Sequence, residues 1–170
     1  MRLLLVLIAT AVIAGCGFKL RGSSGALLPY QTFHVALPDN SDVGIWLKRN
    51  IEGSRSSQLK AHPEEAEAIF QQLYDQRQKG ILSVNAQGLV REYRLEARYG
   101  FRVVNAKGQV LVPPNEITLS RDISFNDSAV LAKEQEETML WRDINIDLVN
   151  QIMRRLSIVK PRDPNSDDQD

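Results

Sequence analysis

Apolar and polar residues alternate along this chain with a period that changes several times, and each change marks an element. Phe33, Val35 and Leu37 alternate with Thr32, His34 and Ala36, the period-2 pattern of a strand with one buried face. Pro38 stops it, and Asp39-Asn40-Ser41 supply turn and cap residues. Val43, Trp46, Leu47 and Ile51 then follow at helical spacing, which predicts an amphipathic helix capped by Ser41 and ending at Gly53-Ser54. From Ala66 to about Gln78, Ile69, Phe70, Leu73 and Tyr74 stand among glutamines. Their ambiguous alternation predicts an irregular or edge strand. Gly80 and Asn85-Ala86-Gln87-Gly88 bracket a separate short apolar piece, Ile81 to Val84.

The clearest strand comes next. Tyr93, Leu95, Ala97, Tyr99, Phe101 and Val103 face one way, and Glu92, Arg94, Glu96, Arg98 and Arg102 the other. Such alternation belongs to a sheet with a core on one face and water or a polar partner on the other. Asn105-Ala106-Lys107-Gly108 reads as a hairpin turn. Val110 to Val112 begins the return, Pro113-Pro114 interrupts it, and Ile117, Leu119, Ile123 and Phe125 line one face of a last strand. Arg121 breaks that apolar face, as an arginine snorkelling from a sheet margin does. After Asn126-Asp127-Ser128, a helix is expected over about residues 129–158. Leu140, Ile144, Leu148, Ile152 and Leu156 form its stripe, widened by Trp141, Val149 and Met153.

Strand, helix, about three further strands and a long helix give an α+β fold. The expected architecture is a two-layer sandwich, with two helices packed on one face of a mixed, mostly antiparallel sheet of about four strands. The strand–helix–strand start places the first strand parallel to a neighbour. The domain is expected over residues 29–159, with a disordered acidic tail over residues 160–170.

The N-terminus follows a different pattern. Arg2 precedes an unbroken apolar run from Leu3 to Ile13, then Ala14 and Gly15, then Cys16, the one cysteine of the chain. A charged start, a short apolar core and small residues before a cut make a secretory signal over residues 1–15. The run is too short for a transmembrane helix, which needs roughly 20 residues. Ile13-Ala14-Gly15-Cys16 resembles the lipobox of bacterial lipoproteins, in which the cysteine is lipidated and becomes the first mature residue. That resemblance implies Cys16 as the lipidation site and residues 16–28 as lipidated N-terminus and linker. Gly17 stands where inner-membrane lipoproteins carry Asp, which by the same resemblance implies the outer membrane.

Composition adds mainly exclusions. Lysine plus arginine and aspartate plus glutamate both number 21, so no electrostatic footprint for nucleic acid is present. With one cysteine the fold holds by packing, without a disulfide. His34 and His62 lie in no metal-ligand spacing, and no Gly-rich phosphate loop, nucleophile elbow or zinc-protease motif occurs. Glu134, Glu136 and Glu137 read as the solvated face of a helix. No catalytic residue, metal or cofactor is assigned, and the chain reads as a binding or assembly protein rather than an enzyme.

Two segments carry a family resemblance. The stretch from Gly15 to Gly22 resembles the start of the lipopolysaccharide-assembly lipoprotein family LptE. The stretch from Phe125 to Glu137, with its Leu131-Ala132-Lys133-Glu134 core, is similar to that family's strand-to-helix segment. The resemblance implies a plug and assembly partner for the outer-membrane β-barrel LptD, in contact with lipopolysaccharide during transport to the cell surface. It also implies lipopolysaccharide contact at Lys133. The family's second basic residue lies in the turn before the long strand, where this chain has Ala86, and Arg91 is the substitute within reach. Lys133 can otherwise be occupied by an i,i+4 pair with Glu137. A lipid-anchored auxiliary subunit of an ABC-type transport system and a periplasmic inhibitor lipoprotein are the competing classes.

Overall fold

The computed structural model describes residues 27–158, so the signal segment, Cys16 and the C-terminal tail lie outside the described residues. The elements in chain order are β1 (Thr32–Ala36), α1 (Asp42–Gly53), β2 (Gln58–Leu59), β3 (Ala68–Val84), β4 (Val90–Val104), β5 (Val110–Ser124) and α2 (Val130–Ile158). Short 3₁₀ turns at Pro63–Glu65 and Asp127–Ala129 precede β3 and α2.

Ser41 caps α1 as expected: its hydroxyl accepts from the Gly44 N–H at 3.1 Å. The helix buries Val43, Gly44, Leu47 and Ile51. It links β1 to parallel neighbours on both sides, β2 and β3. The sheet order is β2-β1-β3-β4-β5, and the last three strands form an antiparallel meander. The architecture is thus the expected two-layer α+β sandwich, with five strands rather than about four. The additional strand, β2, has two residues, too few for any alternation to show in sequence.

β3 departs further from expectation. Gly80 does not divide it; the strand runs unbroken for 17 residues and includes Ile81 to Val84. Its first four residues, Ala68 to Gln71, pair with β1, and from Ile69 onward the strand also pairs with β4 on the other side. Beyond Gln71 it has β4 alone and becomes an edge. The expected irregularity is present as register shifts between Gln72 and Tyr74 and again after Ile81. Pro113-Pro114 likewise bends β5 without ending it. Phe101 lies opposite Asn115 while Val103 lies opposite Val112, so the prolines sit in a bulge of an outer strand, where a sheet tolerates residues that cannot donate.

One face of the sheet carries the core. Phe33, Phe70, Tyr99, Phe101 and Val103 pack with Leu47 and Ile51 of α1 and Leu148, Ile152 and Leu156 of α2. Phe70 and Phe101 stack with ring centroids 5.3 Å apart. Farther along α2, a smaller cluster of Leu95, Ala97, Ile123 and Ile144 is flanked by Leu140 and Trp141. Arg121 sits opposite Leu95 on the outer strand and forms an ion pair with Asp147 of α2, tying helix to sheet margin. The other face is mostly polar, with a small apolar patch of Ala66, Ile69 and Val104.

Candidate functional site

The sheet has a free end beyond α1, built by two turns. In the β3–β4 turn Gly88 adopts φ 78°, and the Asn85 carboxamide oxygen accepts from the N–H groups of Gln87 and Leu89 at 3.0 and 2.9 Å. At the β5–α2 junction Asn126 does the same for the Ser128 N–H at 3.0 Å. The Phe125 N–H donates to the Arg91 carbonyl at 2.7 Å and joins the two turns. Arg91 and Lys133, separated by 42 positions in the chain, are thereby brought to the same end of the molecule. Ala86 lies exposed in the turn itself.

The two basic residues differ in state. The Arg91 side chain is exposed and makes no ion pair among the described residues. Lys133 is largely covered: its ammonium donates to Ser124 Oγ at 2.9 Å and to Glu136 Oε2 at 2.7 Å. The helical partner is therefore Glu136 at i+3, not Glu137 at i+4. Glu137 is taken by Lys79 of β3, at 2.6 Å, whose ammonium also lies 4.5 Å from the centroid of the Tyr93 ring. Two of the three glutamates expected on a solvated face are thus engaged. Arg91 lines a separate hollow at the tip, whereas Lys133, Lys79, Tyr93, Phe125, Val130 and Glu137 share a cleft of about 90 Å³.

Lys79 is the residue that sequence reasoning missed. Its place opposite Leu95 puts it on the helix-covered face, and only the β3–β4 register reveals that. The same end of the molecule also exposes apolar residues: Ile81, Leu82, Val84 and Leu89 of the hairpin and Leu131 of α2. An apolar rim behind ammonium groups held by exchangeable carboxylates suits a ligand that is anionic at one part and apolar at another.

The polar sheet face carries ordered ion pairs across its strands. Arg94 donates to both oxygens of Asp122, directly opposite, at 2.7 and 2.9 Å. Arg98 reaches Glu116 at 3.0 Å, and Arg102 reaches Gln71 at 2.9 Å. The Tyr74 hydroxyl also donates to Glu116, crossing β4 over Gly100. These hydrogen bonds from Tyr74 and Arg98 hold the Glu116 carboxyl below its ordinary range, and the Arg94 contact does the same for Asp122.

His34 lies in β1, and His62 precedes the first 3₁₀ turn. His34 Nδ1 lies 3.0 Å from the Lys60 carbonyl, a contact that ties β1 to the segment after β2. Among the described residues, no group of three or more His, Cys, Asp or Glu is placed to hold a metal ion.

Fold and site together define a class: a small two-layer α+β domain with a charge-paired outer sheet face and an amphipathic free end. Solved structures share this fold. A lipoprotein B from Nitrosomonas europaea is 37% identical with a TM-score of 0.72, covering 83% of this chain and 90% of that one. A minor lipoprotein from Acinetobacter baumannii, at 22% identity and a TM-score of 0.64, covers 81% of this chain and 99% of its own, and shows the fold alone. The chain belongs to the LptE lipopolysaccharide-assembly family, whose model matches residues 30–156. It is 25% identical to the LPS-assembly lipoprotein LptE of Pectobacterium atrosepticum over 157 residues, 88% of this chain and 80% of that protein. It is likewise 25% identical to the LptE of Yersinia enterocolitica over 168 residues, 93% of this chain and 77% of that protein.

Proposed function

We propose that this chain is a lipid-anchored protein of the outer membrane that acts with the β-barrel LptD, as plug and assembly partner, in carrying lipopolysaccharide to the cell surface. Its role is to bind and position, not to catalyse. Cys16 carries the acyl chains; several chains anchor a protein stably where one does not. The domain then faces the periplasm and the barrel lumen.

The observation that carries this proposal, beyond family membership, is the division of the surface. The outer sheet face carries cross-strand ion pairs and suits a water-filled lumen. The free end combines exposed apolar residues with Lys133, Lys79 and Arg91. That combination fits lipopolysaccharide, which is phosphorylated and acylated. A phosphate takes Lys133 by displacing Glu136, and Arg91 adds a second, unoccupied cation; such contacts weaken with salt.

The test uses tagged full-length protein purified from detergent-solubilised outer membranes. LptD should accompany it. Lys133→Asp should weaken lipopolysaccharide binding about tenfold at low salt, a loss on the scale of one charge-assisted contact, while LptD still co-purifies and circular dichroism is unchanged. A preparation without LptD contradicts the partnership. Unchanged lipopolysaccharide binding in the folded variant contradicts the site.

A further inference from the structure

β1 and α1 are short, and the sheet outgrows them. β1 covers the β3 edge only from Ala68 to Gln71. From Gln72 to Val84 the side of β3 away from β4 has no strand beside it among the described residues. Thirteen residues span roughly 40 Å at the ordinary strand rise. Most of their side chains are exposed, and no proline interrupts them. Where β1 stops, a notch opens between the start of α1, the flank of α2 and the bare β3 edge. Asp42, Trp46, Arg77, Trp141, Arg142 and Asn145 line it.

The notch contains both tryptophans of the chain. Arg77 lies 5.7 Å from the Trp141 ring centroid and is neutralised by Asp75 at 3.0 Å. Arg142 is exposed and has no carboxylate partner among the described residues. Asn145 is 5% exposed, and its carboxamide oxygen is buried without a hydrogen-bond partner, which is rare in a closed core. Asp42 belongs to the first turn of α1, where the helix dipole favours it.

We propose that the β3 edge from Leu73 to Val84 receives one extended segment of the LptD barrel, added as a sixth strand, with a carboxylate facing Arg142 and an apolar side chain between Trp46 and Trp141. The inference rests on the partnership proposed above. Main-chain hydrogen bonds supply affinity in such strand addition, and alternate side chains supply specificity. Wall strands of a closed barrel are paired on both sides, so the segment is a loop or terminus of the barrel chain.

A second copy of this chain fits poorly. Antiparallel self-pairing centred on Gln78, the middle of that edge, sets Arg77 against Lys79 of the second copy, and inward-pointing charges such as Asp75, Arg77 and Lys79 are a device that discourages self-pairing. On the N-terminal side of β1, Leu28 is held at the end of the strand opposite the notch, where its N–H bonds to Ser56 Oγ beyond the end of α1.

Amide hydrogen exchange at single-residue resolution tests the proposal, on the full mature lipoprotein alone and in its purified complex with LptD. In the complex, alternate amides between Leu73 and Ser83 should slow about tenfold or more, the mark of newly formed backbone bonds. Arg142→Glu, an exposed substitution that leaves the fold intact, should restore at least part of the fast exchange in the complex. If LptD is present and these amides exchange as in the free protein, the edge is not the docking site, although the partnership stands. Slow exchange already present in the isolated protein overturns the inference in favour of another occupant. Concentration dependence then identifies a second copy, and its absence the chain's own N-terminal segment. If LptD never co-purifies, the partnership fails and this inference fails with it.

Discussion

Gly100 shows how much one missing side chain can organise. It stands opposite Tyr74 on β3 and opposite Glu116 on β5, so the three residues form one row across the sheet. A Cβ at residue 100 would lie 2.6 Å from Cζ of Tyr74. The glycine therefore leaves room for the ring that reaches Glu116 and helps hold its carboxylate ionised. Gly100→Ala should swing Tyr74 aside and cost about 1–2 kcal/mol in a denaturant titration, the lower range for overpacking. Tyr74→Phe should cost less, and nothing further in the Gly100→Ala background, because both changes remove the same contact. Additive losses would show that Tyr74 is held by something else. In sequence Gly100 was only a gap in an alternation, since its role depends on residues 26 positions before it and 16 after. Lys133 is proposed through a family motif, whereas its Glu136 and Ser124 partners were not legible in sequence.

At the scale of elements, the clearest patterns were those with one uniform face. β4 and α2 read plainly because Leu95 to Val103 and Ile144 to Leu156 each bury a single stripe. β3 did not, because its two halves have different neighbours. Phe70 is in the core, but Asp75, Arg77 and Lys79 occupy the same face farther along, where Trp141 of α2 meets Arg77 and Glu137 meets Lys79. Charge on an inward face breaks the alternation on which a sequence reading depends. The sheet's outer face makes its own prediction. Glu116 and Asp122 have lowered folded-state pKa values relative to their ordinary 4.5 and 3.8. A depressed carboxylate stabilises the fold above its unfolded pKa, and that contribution is lost as pH falls through the folded value. Thermal melts should therefore hold steady from neutral pH down to about 5 and then fall as acidity increases. Glu116→Gln should flatten part of that fall. An acid response identical to the unsubstituted protein would mean that Glu116 is not among the carboxylates responsible.

At the scale of the whole molecule, the fold assigns different work to different surfaces. One sheet face holds the core against two helices. The other carries charge pairs fit for water, and the free end gathers Lys79, Lys133 and Arg91 beside apolar residues. The two-layer class was legible because it follows from local periods summed along the chain. The ambiguous alternation of β3 already pointed to an edge or irregular strand, but the length of the bare edge was not legible, because it arises from β1 and α1 being shorter than the strands they cover. The proposed anchor at Cys16 and the proposed barrel partner give these surfaces a common setting. Depleting the protein in its native host, while labelling newly made lipopolysaccharide with a membrane-impermeant reagent, tests that setting most directly. Surface labelling should fall within a few generations as lipopolysaccharide accumulates inside, and the full-length chain should restore it. Undiminished surface labelling after depletion would contradict a role in lipopolysaccharide transport.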